Sequence, residues 1–199
     1  MIMTVRARFR LFGGGVMAVS GALLAVALLQ PVPVAHASSW LVPVTQDYTD
    51  GCVPAVSSMF LSAFGVHVSQ DVLSAEMLTR QHHGTFGPDA LRVLNGHLAP
   101  RFTVLSTSGK VGAGELGRLL RLNLRERFPV MLWVTARSLP WRRSDRVVFV
   151  HDLLVMGMRG SVVTVWDPEV RALRGGFHQV PLGVLDGAVL QAMMAFRAE

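Results

Sequence analysis

The chain has 199 residues, of which 51% are hydrophobic, with 19 Lys and Arg against 13 Asp and Glu and a single cysteine. One cysteine excludes an internal disulfide, and the net charge of +6 comes without an aromatic-interleaved basic groove or a nucleic-acid motif, so no nucleic-acid partner is expected. No His, Cys, Asp and Glu share a metal-ligand spacing, so neither a metal nor another cofactor is expected.

The first 37 residues read as an export signal. Arg6, Arg8 and Arg10 precede the uncharged apolar stretch Leu11 to Leu29, and Ala35-His36-Ala37 supplies a small-x-small cleavage site. Cleavage after Ala37 leaves one domain, residues 38–199, large enough to bury a full core. Three of the 19 basic residues leave with the signal, so the mature part carries 16 basic against 13 acidic residues, about +3. The expected location is secreted, periplasmic or cell-envelope, with no membrane association after cleavage. An uncleaved anchor is the alternative, since the apolar stretch is close to the spanning length. Exported chains pair their cysteines, so an unpaired thiol calls for a reason, and catalysis is one.

Pro54 to Phe64 predicts a helix, with Val56, Met59, Phe60, Ala63 and Phe64 at helical spacing and Gly65 as its stop. Ser69 is the expected N-cap of a second helix, Gln70 to Arg80, with Val72, Leu73, Met77 and Leu78 inward. After the loop Gln81 to Gly87, a third helix runs from Pro88 to about Leu98. Phe102 to Ser106 reads as a strand, Gly109 to Gly114 as a link, and Glu115 to Phe128 as an amphipathic helix with a solvated arginine face. Val130 to Thr135 is a strand and Ala136 to Arg146 a polar loop. Val147 to Gly157 and Ser161 to Trp166 form a hairpin across the three-residue loop Met158-Arg159-Gly160. The loop Asp167 to Gly176 leads to a strand Phe177 to Val180. Leu182 to Arg197 fits either a short helix with a final strand or one helix. Helices first and an antiparallel sheet after them give an α+β domain.

Cys52 follows Gly51 and opens the first helix, where the positive end of the helix dipole predicts a thiol that ionises below the ordinary value. A small buried hydrophobe is the alternative reading of the same position. A nucleophilic Cys needs a base, and the base needs an orienting acceptor. His151 interrupts the apolar run Val147 to Val150, where a polar ring must find a partner. With a three-residue hairpin loop, His151 lies directly opposite Asp167, whereas a two-residue loop would place Asp152 there; Asp167 with Pro168 ends its strand at the sheet rim. Gln46, six residues before Cys52, is the candidate side-chain donor to an oxyanion, beside the Cys52 amide. His82, His83, and Trp141 with Arg142, Arg143 and Arg146 read as loop residues.

Gln46, the run Asp50-Gly51-Cys52-Val53-Pro54-Ala55, His151 with a later Gly157, and Asp167-Pro168 together resemble the bacteriocin-processing-like cysteine peptidases, the thirty-ninth family of that class, in the papain-like clan. The resemblance spans about Val44 to the C-terminus. It implies a papain-like cysteine peptidase fold, N-terminal helices packed on a C-terminal antiparallel sheet, with Cys52 as nucleophile, His151 as base, Asp167 as orienting residue and Gln46 as oxyanion donor. One departure is Val53, which stands where the family usually has Gly. Better-known members are cytosolic exporter domains that cut leader peptides, whereas this chain resembles a free-standing exported branch.

Three readings compete. The first is an exported thiol hydrolase acting on peptide or amide bonds of a peptide or protein substrate whose identity the sequence does not carry. The second is a catalytically inactive binding domain on the same fold, and the third a papain-like acyltransferase. All four catalytic residue types are retained, which favours the first over the second. Oligomeric state is not legible.

Overall fold

A computed structural model of the chain describes residues 41–107, 111–112, 114–143, 149–169 and 175–199. The expected signal, half of the Gly109–Gly114 link, Arg146, and Val147 and Val148 of the expected hairpin lie outside the described residues. The described residues form helices α1 (Cys52–Ser62), α2 (Gln70–Glu76), α3 (Gly87–Leu98), α4 (Glu115–Arg125) and α5 (Leu182–Ala188). Strands β1 (Phe102–Ser106), β2 (Val130–Thr135), β3 (Val150–Arg159), β4 (Val162–Asp167), β5 (Gly176–Pro181) and β6 (Val189–Arg197) pair in the order β1-β6-β2-β3-β4-β5. Every neighbouring pair is antiparallel. The ambiguous end of the chain is thus a short helix followed by a strand, and that strand enters the middle of the sheet.

α1 is the central helix of its layer. Val53, Pro54, Ala55, Val56, Ser57, Met59, Phe60 and Leu61 are all buried, so it is apolar almost all round, as a helix enclosed on several sides must be. It packs on β2 and β3 with α2 and α3 beside it. It has no side-chain cap; Gly51 donates its amide to the Tyr48 carbonyl at 3.0 Å and so folds the chain back before the helix begins. A Cβ at Gly51 would stand 3.1 Å from the Tyr48 ring and from that carbonyl, which is why the turn takes glycine. Pro54 falls in the first turn, where its missing amide costs nothing.

Ser69 caps α2 as expected, accepting from the Val72 amide at 3.3 Å. The helix ends at Glu76, short of the predicted Arg80, because Leu78 adopts a left-handed conformation with φ of 54°. Leu73 and Met77 point inward, while Val72 and Leu78 are exposed, contrary to the periodicity.

The sheet is covered on both faces. Met131, Leu154, Met156, Trp166 and Met193 join α1, α2 and α3 in one apolar cluster. Leu132, Leu153, Val155, Val163, Val165 and Ala192 join α4 and α5 in a second. Alternation along each strand distributes the residues between the two.

The β3–β4 hairpin departs from the expected register. Arg159 pairs with Val162, leaving the two-residue turn Gly160-Ser161 instead of a three-residue loop. Gly160 has φ of 60°, which suits a glycine-first turn. A turn shortened by one residue would put Asp167 on the opposite face of the sheet from His151. A bulge at Met156 restores the face: Gly157 pairs with Thr164, but Val155 with Val165 and Leu154 with Trp166. His151 therefore meets Asp167 diagonally, not directly across as predicted.

Candidate active site

Asp167 is the hub of the site. It is 0% exposed, and His151, 2% exposed, places Nε2 2.8 Å from its Oδ1. Arg142 donates from Nε to Oδ2 at 2.7 Å and from Nη2 to Oδ1 at 2.8 Å. The Trp141 indole donates to Oδ2 at 2.9 Å and the Glu169 amide to Oδ1 at 3.1 Å. Burial alone would raise the Asp167 carboxyl, but the bonds from His151 and Arg142 outweigh it and hold the group well below the usual carboxylate range. Burial likewise opposes the Arg142 charge, and its bonds to Asp167 and to Glu169 at 2.6 Å overcome that. With Asp167 ionised, its contact is satisfied by a proton on Nε2 of His151, so Nδ1 is the ring nitrogen left to accept one.

The segment before Cys52 is tied to this rim. The Gln46 amide N–H donates to the Pro168 carbonyl at 2.9 Å, and the Trp166 indole to the Val44 carbonyl at 2.8 Å. On its other side Gln70 of α2 donates to the Thr45 carbonyl at 2.8 Å and accepts from the Asp47 amide at 3.3 Å. These contacts set the N-terminus of α1 against the start of β3.

There the Cys52 sulfur meets the backbone N–H groups of Asp152 and Val53. His151 precedes Asp152 in the chain, and among the described residues no hydrogen bond joins the sulfur to the imidazole. The thiol does not ionise early as the helix position predicted. Burial pushes it up to about 12, the Asp152 and Asp167 carboxylates push the same way, and the two backbone N–H groups only partly offset this. Enclosure outweighs the dipole of the helix end.

Gln46 is 4% exposed and donates its side-chain amide to the carbonyls of Tyr48 and Thr49, each at 3.0 Å. Both amide hydrogens are thereby engaged within the loop. Val53, 4% exposed, packs into the helical cluster beneath α1. Trp141 and Arg142, read from sequence as part of a polar loop, are instead built into the site; Arg142 is 1% exposed. Pro140-Trp141-Arg142 forms a 3-10 turn that carries both donors to Asp167. The available signal was the need of a buried Asp for a cationic partner.

No protein-family model matches the chain, and no curated protein matches it. Solved structures do. A putative C39-like peptidase from Bacillus anthracis superposes with a TM-score of 0.58 at 15% identity, covering 79% of this chain and 96% of that one. The peptidase domain of Streptococcus ComA, a bi-functional ABC transporter involved in a quorum sensing pathway, gives 0.55 at 18%, over 80% and 98%. A double glycine motif protease from an AMS/PCAT transporter, solved in complex with the leader peptide, gives 0.55 at 12%, over 85% and 100%. The chain thus has the α+β, papain-like fold of the C39 peptidase domains.

Proposed function

We propose that the chain is an exported thiol hydrolase of the cysteine-peptidase type, which cleaves peptide or amide bonds with Cys52 as nucleophile, His151 as base and Asp167 as the group that orients the base. The observation that supports this reading is the His151–Asp167 contact at 2.8 Å through Nε2, which leaves Nδ1 as the ring nitrogen to take the thiol proton. The thiol rests in its neutral form. As the sulfur attacks the substrate carbonyl, Nδ1 takes the thiol proton and Asp167 stabilises the imidazolium. The oxyanion meets the Cys52 amide, which has no intrahelical partner in the first turn, and the positive end of α1. His151 then returns the proton to the leaving amine, and water resolves the thioester by the same route in reverse. Gln46 in this scheme braces the loop ahead of Cys52, and acts as an oxyanion donor only after releasing the Tyr48 and Thr49 carbonyls. Val53 packs into the core.

The inactive binding domain has one observation in its favour, the thiol pushed up to about 12. Labelling separates the two. A chloroacetamide or acyloxymethyl-ketone probe at neutral pH reports Cys52 alone, since the chain has one cysteine. The hydrolase reading expects labelling that His151→Ala abolishes without unfolding the protein. Labelling equally slow in both proteins points to the inactive domain.

A further inference from the structure

Glu169 has no part in the scheme above, yet it grips the arginine that grips Asp167. Arg142, 1% exposed, presents one guanidinium to two carboxylates: Nε and Nη2 to Asp167 at 2.7 and 2.8 Å, and Nη1 to Glu169 Oε2 at 2.6 Å. Glu169 also meets Asp167 through the main chain, its amide donating to Oδ1 at 3.1 Å. Its side chain is 28% exposed, so its charge is only partly taken out of water. An arginine paired with one aspartate forms a neutral unit, which has little to offer an imidazolium. The second carboxylate changes the balance. One guanidinium against two carboxylates leaves one negative charge, and His151, with Nε2 2.8 Å from Asp167, is where a balancing proton can sit.

We propose that Glu169 is a positioning residue for the base, acting through Arg142: by engaging Nη1 it offsets the guanidinium and leaves the charge of Asp167 free to support a protonated His151. The proposal rests on His151 being the base that serves Cys52. The geometry separates this role from scaffolding. Two bonds hold Arg142 on Asp167 without any help from Glu169, and the Trp141 indole holds Oδ2 independently at 2.9 Å. Trp141 is in turn stacked on His178 of β5, with ring centroids 3.9 Å apart and 4° between the planes. Removing the Glu169 charge therefore leaves Asp167 where it is and changes how strongly it favours an imidazolium. The other titratable groups around His151 and Asp167, among the described residues, are Asp152 on β3, Cys52 on α1, Tyr48 in the loop before it, and His178 on β5; β2 brings none. All of them are common to the proteins compared below.

The test is the rate of Cys52 labelling by the chloroacetamide probe against pH, in the wild type, Glu169→Gln, Glu169→Asp and the exposed control Glu126→Gln. Gln keeps the length of the side chain and an oxygen for Arg142, and removes only the charge. Labelling should rise with pH as His151 becomes able to take a proton. In Glu169→Gln the rise should come at lower pH, because the imidazolium has lost support. The rate above the rise should fall about three- to tenfold, because the same loss weakens the base. Glu169→Asp should restore most of both effects, and Glu126→Gln should match the wild type. A wild-type curve in folded Glu169→Gln overturns the proposal. So does a lower rate with the rise in its original place, which would mean lost scaffolding. Glu169→Ala carries the same two expectations if the Gln variant fails to fold. His151→Ala separates this idea from the base assignment. If it labels at the wild-type rate, the base reading fails and takes this inference with it. If it abolishes labelling while Glu169→Gln leaves the curve unchanged, the base stands and only the part given to Glu169 fails.

Discussion

Arg142 and Asp167 form a two-point ion pair sealed from solvent, at 1% and 0% exposure, with Nε on Oδ2 and Nη2 on Oδ1. The parallel geometry gives both direction and strength to the pair. It also means that the carboxylate in contact with His151 is itself held from behind, by a residue in a 3-10 turn.

Replacing Arg142 by Met should therefore strand a buried carboxylate and cost about 3–5 kcal/mol of stability. The pH dependence has a definite sign. Asp167 ionises more readily folded than unfolded, so its contribution is complete above the unfolded value of 3.8 and is lost as pH falls below it. In Arg142→Met the folded-state carboxyl ionises less readily, so less stability should be lost on acidification below 3.8 than in the wild type. Urea denaturation followed from pH 3 to 7 measures both effects.

Asp167→Asn removes the charge that balances an imidazolium at His151. Probe labelling of Cys52 should slow on the order of 10³-fold, with the fold retained by circular dichroism. Labelling at the wild-type rate would remove Asp167 from the reaction.

Cys52 should make the protein sensitive to alkali. Its thiol is held up to about 12 in the fold against 9.0 for an unperturbed cysteine, so the protonated form is favoured by folding. That contribution is present below about 9 and disappears as pH rises toward about 12, at no more than about 1.4 kcal/mol per pH unit. Cys52→Ala should flatten the alkaline limb of stability against pH relative to the wild type, as measured by denaturant midpoints.

Gly160→Ala forces a Cβ into the left-handed first position of the β3–β4 turn. The expected loss is about 1–2 kcal/mol, read from the thermal midpoint, with no change in the alkylation profile if the register survives.

Mass spectrometry of the exported protein should find Ser38 as its N-terminus. Intact Met1 to Glu199 recovered in a membrane fraction would point to the uncleaved anchor instead.

The strands β1 and β2 and the N-cap of α2 were legible because each is written locally: alternating apolar residues, or a serine before a helical period. The His151–Asp167 partnership was also legible, though through a register that was wrong by two compensating changes. The turn is one residue shorter than expected, and the bulge at Met156 has no residue of its own to announce it. Arg142 was hidden among Arg137 and Arg143 on one segment, since composition does not say which of several arginines is folded inward. The thiol's reluctance to ionise was hidden for a related reason. A helix end can be read from a few neighbours, but enclosure by β3 and the 44–50 loop depends on residues a hundred positions apart.

The bulge at Met156 and the two-residue turn at Gly160-Ser161 constrain how this hairpin can change length. Each alone would rotate Asp167 to the wrong side of the sheet, and together they cancel. A single-residue insertion or deletion anywhere between His151 and Asp167 would thus separate the pair even if every side chain involved were kept, while a second change of one residue in the same stretch would reunite them. Viable length variants of this segment should differ by even numbers of residues, or carry paired changes, one at the turn and one at the bulge.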